Sequence, residues 1–341
     1  MLPTGPRLVL PERTPIGLLA AMQAGAVTLP NDQSVQFGDR LHWQNADGVA
    51  VIDVSGIITP GTMHIGGLMT GTNWLTRTVA AALAASDITA IAVSFDSPGG
   101  YVSGVMDAAD ELYAAARSSA KPMIGIVPDL AASAAYWLAS QLPTLVVSQS
   151  ATIGSIGAKV EHVDCSAAVE WSGIAVTEIA SGGQKTDGSP YRPLDAAARA
   201  RLQAQLDDIR QAFAEHVARG RSRVSVEVAL GTEAGVFSGP TQIAAAVQAG
   251  FADEIAHPAA AIAALAGRIS NPTVEDVALA ENTEEALAEL RAVTQELKGA
   301  AKGREDVAPS AAPALTPEQA AQAAAHRATA IMALAKQGPR A

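Results

Sequence analysis

The chain has 341 residues, 49% of them apolar and few aromatic, so it can bury a sizeable core and is not disordered throughout. Its formal charge of −11, from 23 basic and 34 acidic side chains, argues against a protein that coats nucleic acid or an anionic membrane. One cysteine, Cys165, cannot form an intrachain disulfide and suggests neither a zinc site nor a secreted framework, so no metal or cofactor is expected and a reducing compartment fits.

Residues 1–41 are punctuated by prolines, with a single short apolar run at 16–22, and read as a surface arm rather than a secretory signal. No run of about 18 apolar residues occurs, so no membrane span is expected and the chain reads as cytoplasmic. From residue 48 the pattern alternates. VAVIDVSGII (49–58), TAIAVSFD (89–96), PMIGIV (122–127) and TLVVSQS (144–150) predict strands, and SIGAKVEHV (155–163) and GIAVTEIA (173–180) predict two more. Residues 102–116 place Val102, Val105, Met106, Ala109, Leu112, Tyr113 and Ala116 on one helical face, and DLAASAAYWLAS (129–140) begins a second helix. Leu202, Leu206, Ile209, Phe213 and Val217 mark a long helix that stops at Gly220. Such alternation predicts an α/β fold.

Past Gly267 the character changes. Residues 274–299 are charged and helical, 308–315 form a Pro/Ala linker, and TPEQ (316–319) is a capping box before a last helix. This tail has too little apolar mass to fold alone and is expected to be helical and partly disordered. The expected division is an arm at 1–41, a domain at 42–267 and a tail at 268–341.

Two stretches suggest chemistry. SFDSPGGYVSG (94–104) sets two glycines at a strand end before a helix, where bare backbone can bring N–H groups up to a ligand oxygen. It is neither a P-loop nor a dinucleotide fingerprint, and alone it is as readily an ordinary turn. Ser133 falls at the start of its helix among alanines, which leave room for a substrate carbonyl; in isolation it reads first as a helix cap. Taken together, the N–H groups of Gly100 and Ala134 could form an oxyanion hole around a carbonyl attacked by Ser133. A nucleophilic serine needs a base. Lys185, in the glycine-flanked SGGQKTDGSPY (181–191), serves only if burial makes it neutral. His162 is the rival, and Cys165 lacks the exposed, activating setting of a nucleophilic thiol.

SPGG (97–100), the AAS-x-x-YW-x-AS pattern (131–140), TIGSIG (152–157), SGGQKTDGSPY and VFSGPTQIAAAVQAGFADEI (236–255) together resemble the signal peptide peptidase A-like serine peptidases. The resemblance implies the ClpP/crotonase spiral of stacked ββα units and a Ser-Lys dyad. It assigns Ser133 as nucleophile, Lys185 as general base, Ser155 as the serine that orients the lysine, Gly100 and Ala134 as oxyanion donors, and Gly99 as the residue shaping their turn. The sequence departs from the family where Ala134-Ala135 replaces the frequent Gly-Gly after the nucleophile; since only backbone N–H is needed, activity is expected to survive. Within the family the likeness is to head-maturation proteases of tailed phages, the lambda protein C type. That implies scaffold and capsid proteins as substrates and partners, cleavage of its own tail, assembly into a homo-oligomer, and action in the host cytoplasm within the procapsid. Two readings stand beside it: a Ser-His peptidase using His162, and a non-catalytic capsid scaffold. A crotonase-type acyl-CoA enzyme is weakest, since no basic cluster for CoA is evident.

Overall fold

The computed structural model describes residues 41–270. The chain enters through β1 (Gln44–Ala46) and the long β2 (Val49–Thr59), then a small excursion, β3 (His64–Ile65) and β4 (Met69–Gly71), leads to α1 (Thr72–Ala84). Next come β5 (Ala90–Gly100), α2 (Val105–Ser118), β6 (Met123–Val127), β7 (Leu130–Ala132) and α3 (Ala134–Ala139). β8 (Thr144–Val147), β9 (Thr152–Gly154), α4 (Ser166–Trp171) and the long α5 (Ala196–Gly220) follow. The described part ends with α6 (Val226–Gly231), β10 (Val236–Ser238), α7 (Pro240–Ala249), β11 (Glu254–Ile255) and α8 (Pro258–Ser270).

The architecture is the expected mixed α/β. β2, β5, β6, β8 and β11 pair in parallel in that order, with β1 antiparallel on the outer edge of β2. These strands are near-continuous Val/Ile/Ala runs because both faces are covered, as parallel sheets require. On one face Ile52, Val54, Ile91, Val93 and Phe95 form the main core with Trp74, Leu75, Leu112 and Tyr136 from the helices. On the other, Val49, Val51, Ala90, Ala92, Ile124 and Ile126 meet Ala261 and Leu265 of α8.

β5 divides its pairing, and this creates the site. Ile91–Ser94 pair with β6, whereas Ser97, near its end, pairs with Ala131 of β7. β7 then pairs in parallel with β9, which is closed by antiparallel β10. The end of β5, the end of β7 and the end of β9 therefore lie side by side.

Two strand expectations fail. Residues 155–163 and 173–180 form no strand; the ladder stops at Gly154, and α4 stands between the two stretches. β-branched residues favour strands only when a neighbouring edge accepts them, and β9 already has β7 and β10 on its two edges. Ile174 and Ile179 are left 61% and 95% exposed. The stretch 129–140 also splits: its first residues are β7, and the helix starts only after Ser133. The long helix forms as expected, opened by Asp195, whose carboxylate accepts from Ala198 N–H at 2.7 Å. It closes at Gly220, where a Cβ would sit 2.0 Å from the Ser140 carbonyl oxygen. The expected tail elements at 274–299 and 316–319 lie outside the described residues.

Candidate active site

Ser133 occupies the N-cap position of α3 but does not cap it: its side chain makes no cap hydrogen bond. Its backbone is at φ 52°, ψ −127°, a conformation that costs a non-glycine residue about 1–3 kcal/mol. The surroundings enforce it. Ser133 N–H donates to Gly154 O at 2.8 Å, and its carbonyl accepts from Trp137 N–H at 2.9 Å. Behind it, the fully buried Tyr136 donates to Phe251 O at 2.7 Å, and Trp137 stacks on Phe213 with centroids 4.3 Å apart. A cap explains neither the strain nor the idle hydroxyl.

The SPGG turn lies directly against this serine. A Cβ on Gly99, which has φ +99°, would be 2.7 Å from Ser133 Cβ and 3.0 Å from Ala134 N, so only glycine fits. Tyr101 N–H donates to Ile58 O on the β2 side. The preceding N–H, that of Gly100, lies between this bond and Gly99, which abuts Ser133. Ala134 N–H belongs to the first turn of α3 and has no partner within the helix. The structure thus brings Ser133, Gly99, Gly100 and Ala134 together.

Ser155 joins them. Ala132 pairs with Gly154, so Ser133 and Ser155 leave adjacent parallel strands at the same level. Ser155 is also left-handed, at φ 59°, held by its N–H to Gly235 O at 2.9 Å. Two strained serines stand side by side.

Lys185 is not brought to them. It lies in a turn closed by its own N–H to Gly182 O at 3.1 Å. Its side chain is exposed, and among the described residues no hydrogen bond or ion pair joins its ammonium to Ser133 or to any other group. The burial that the sequence reading required is missing in the single chain. His162 is also occupied elsewhere: its Nε2 is 2.9 Å from Ser189 O, so that nitrogen carries the proton and donates it to a carbonyl. Cys165 is half-buried and starts α4, with its N–H donating to Pro190 O at 2.7 Å. Among the described residues no cluster of three or more His, Cys, Asp or Glu is arranged to hold a metal.

Sequence reading passed over Ser97. It is fully buried, donates from Oγ to Gly56 O at 2.6 Å and accepts from Gly99 N–H at 3.1 Å. Its only signal was its place two residues before a glycine, the spacing of a serine turn.

A strained serine that makes no cap bond thus faces a two-glycine turn across paired strand ends, and residues 115–269 match the family described as Peptidase family S49. That stretch includes Ser133, Ser155 and Lys185; the SPGG turn precedes it. The chain is 36% identical over 222 residues to capsid assembly protease C of Escherichia phage lambda, covering 64% of this chain and 49% of that protein. It is 34% identical over 230 residues to head-tail preconnector protein GP5 of Enterobacteria phage P21, covering 66% of this chain and 44% of that protein. A putative protease of Methanocaldococcus jannaschii is 29% identical over 190 residues, 55% of this chain and 59% of that one. The chain thus spans about half the length of the two phage relatives. The family resemblance read from the motifs is borne out by these matches.

Proposed function

We propose that the chain is a serine endopeptidase of phage or prophage head maturation, with Ser133 as nucleophile and Lys185 as general base. The observation that carries this reading is Ser133 itself, strained, idle as a cap, and pressed against Gly99 where no side chain fits. Ser133 Oγ attacks the scissile carbonyl carbon and gives its proton to neutral Lys185. The N–H groups of Gly100 and Ala134 hold the oxyanion of the tetrahedral intermediate. Collapse expels the amine, which takes the proton from Lys185; water, deprotonated by the same lysine, then releases the acyl group from Ser133. Ser155, adjacent to the nucleophile, orients the lysine.

Lys185 must leave solvent for this to work, because an exposed ammonium keeps its proton at neutral pH. Its own segment carries the means: Trp171, Ile174 and Ile179 are exposed apolar groups whose burial in an oligomer would take the lysine out of water along with them. The split pairing of β5 supports the ClpP/crotonase spiral as the underlying fold. The phage relatives support scaffold and capsid proteins, and the chain's own tail, as substrates inside the procapsid in the host cytoplasm.

The test is mass spectrometry of the purified wild type beside Ser133→Ala under assembly conditions. Release of a tail fragment in the wild type alone is expected. No Ser133-dependent cleavage, with no labelling of Ser133 by a fluorophosphonate, leaves the non-catalytic scaffold as the better account.

A further inference from the structure

We propose that Ser97 is a positioning residue that aims the oxyanion turn, a role resting on the peptidase reading above. Gly99 and Gly100 are glycines by necessity: a Cβ on the first would strike Ser133, and one on the second would lie 2.0 Å from Ile58 O. Two successive glycines determine their own backbone least, yet the site needs the Gly100 N–H aimed to a fraction of an ångström. The aim therefore has to be imposed from outside the pair.

The Ser97 hydroxyl does so from one side. Its single hydrogen goes to Gly56 O at 2.6 Å, and a lone pair accepts Gly99 N–H at 3.1 Å. The far anchor is itself rigid. Gly56 sits where the β2–β5 register shifts, and a Cβ there would be 2.1 Å from the backbone of Leu68. The next residue, Ile57, donates to Leu68 O at 2.9 Å. Ser97 is fully buried, so water does not compete for either bond. The bridge has a second effect. It saturates Gly99 N–H, while Tyr101 N–H is taken by Ile58 O, which leaves the Gly100 N–H as the amide of the turn that serves a substrate oxygen in this proposal. Ser97 touches no reacting atom and acts only through the turn.

The test compares wild type, Ser97→Ala and Ser97→Thr with a peptide substrate and a peptide boronate, whose tetrahedral adduct needs the oxyanion donors. For Ser97→Ala, kcat is expected to fall about 10- to 100-fold with KM within about twofold, and boronate affinity to weaken in parallel. Ser97→Thr, which keeps the hydroxyl, restores both to within a few-fold. Unchanged kcat in Ser97→Ala, or a loss that spares boronate binding, overturns the proposal. Hydrogen exchange at the Gly99 amide, followed by NMR on glycine-labelled chain, reads the bridge without turnover. Faster exchange in Ser97→Ala is expected, and equal rates overturn the bridge. A wild type without Ser133-dependent turnover but with that exchange difference removes the peptidase reading, and the catalytic role of Ser97 with it, while leaving the bridge itself standing.

Discussion

The proposed nucleophile and the proposed base sit in physically opposite surroundings. Ser133 stands on a helix whose six residues are all buried, braced by Tyr136, Trp137 and paired strand ends. Lys185 lies at the end of a segment with no strand, one short helix, and a tryptophan that is 91% exposed. A strained backbone persists only where the surroundings over-determine it, so the serine half is built within one chain. Nothing comparable holds the lysine half, whose apolar groups still face water. Under the proposed function, a peptidase acting inside an assembling shell would gain from that division, since activity would then wait for association.

The largest expected effects test whether the two halves form one machine. Ser133→Ala and Lys185→Ala should each lower peptide turnover by roughly 10³-fold or more, and the double variant hardly further, because members of one catalytic unit do not add. His162→Ala should retain most activity. A dead His162 variant beside an active Lys185 variant in the same peptidase assay reverses the assignment of the base.

Next comes the bracing of the serine half. Trp137→Ala removes a buried indole stacked on Phe213 and should cost about 3–5 kcal/mol in denaturant unfolding, with Ser133 labelling lost in step. A loss under 1 kcal/mol would mean that the helix behind the nucleophile is not what fixes it.

A third expectation concerns pH. His64 is 2% exposed and stacked on Trp74 at 3.8 Å. Burial, reinforced by the nearby His42, lowers its pKa from 6.5 to about 4. Between those values the unfolded chain binds a proton that the folded chain refuses, so stability falls as pH drops from 6.5 to 4 and levels off below. The fall amounts to about 3 kcal/mol from this group. Urea unfolding of wild type and His64→Asn at pH 7 and pH 4.5 should show a smaller acid loss in the variant; equal losses would remove His64 from the account.

The same contrast explains what could be read from the sequence. β2 and β5 were legible because strands buried on both faces must be continuously apolar, whatever lies around them. Ser133, Gly99 and Gly100 were legible because sterics dictate residue type there: small residues beside Ser133, no side chain at the turn. GIAVTEIA (173–180) misled because Ile174, Val176 and Ile179 carry strand propensity without an available edge, and a sequence does not display which edges are taken. Lys185 could be picked out by motif, but its exposure could not, since that depends on what covers it. Ser97 stayed hidden because a serine before proline reads as turn chemistry; only Gly56, 41 residues earlier, reveals its second bond.

The smallest expected effect on folding is the sharpest test of the contrast. Ile179→Asp places a charge on a side chain that is 95% exposed, so unfolding free energy should change by no more than about 0.5 kcal/mol. If that surface is buried on association, the same charge must be desolvated there, and sedimentation velocity should show smaller species than wild type at equal concentration. Turnover should fall with assembly and recover, at least in part, at higher chain concentration. A variant that assembles normally but loses turnover would place Ile179 at the site rather than at an interface. A variant that unfolds easily would show the segment to be packed within a single chain, and the distinction between a finished serine half and an unfinished lysine half would fall.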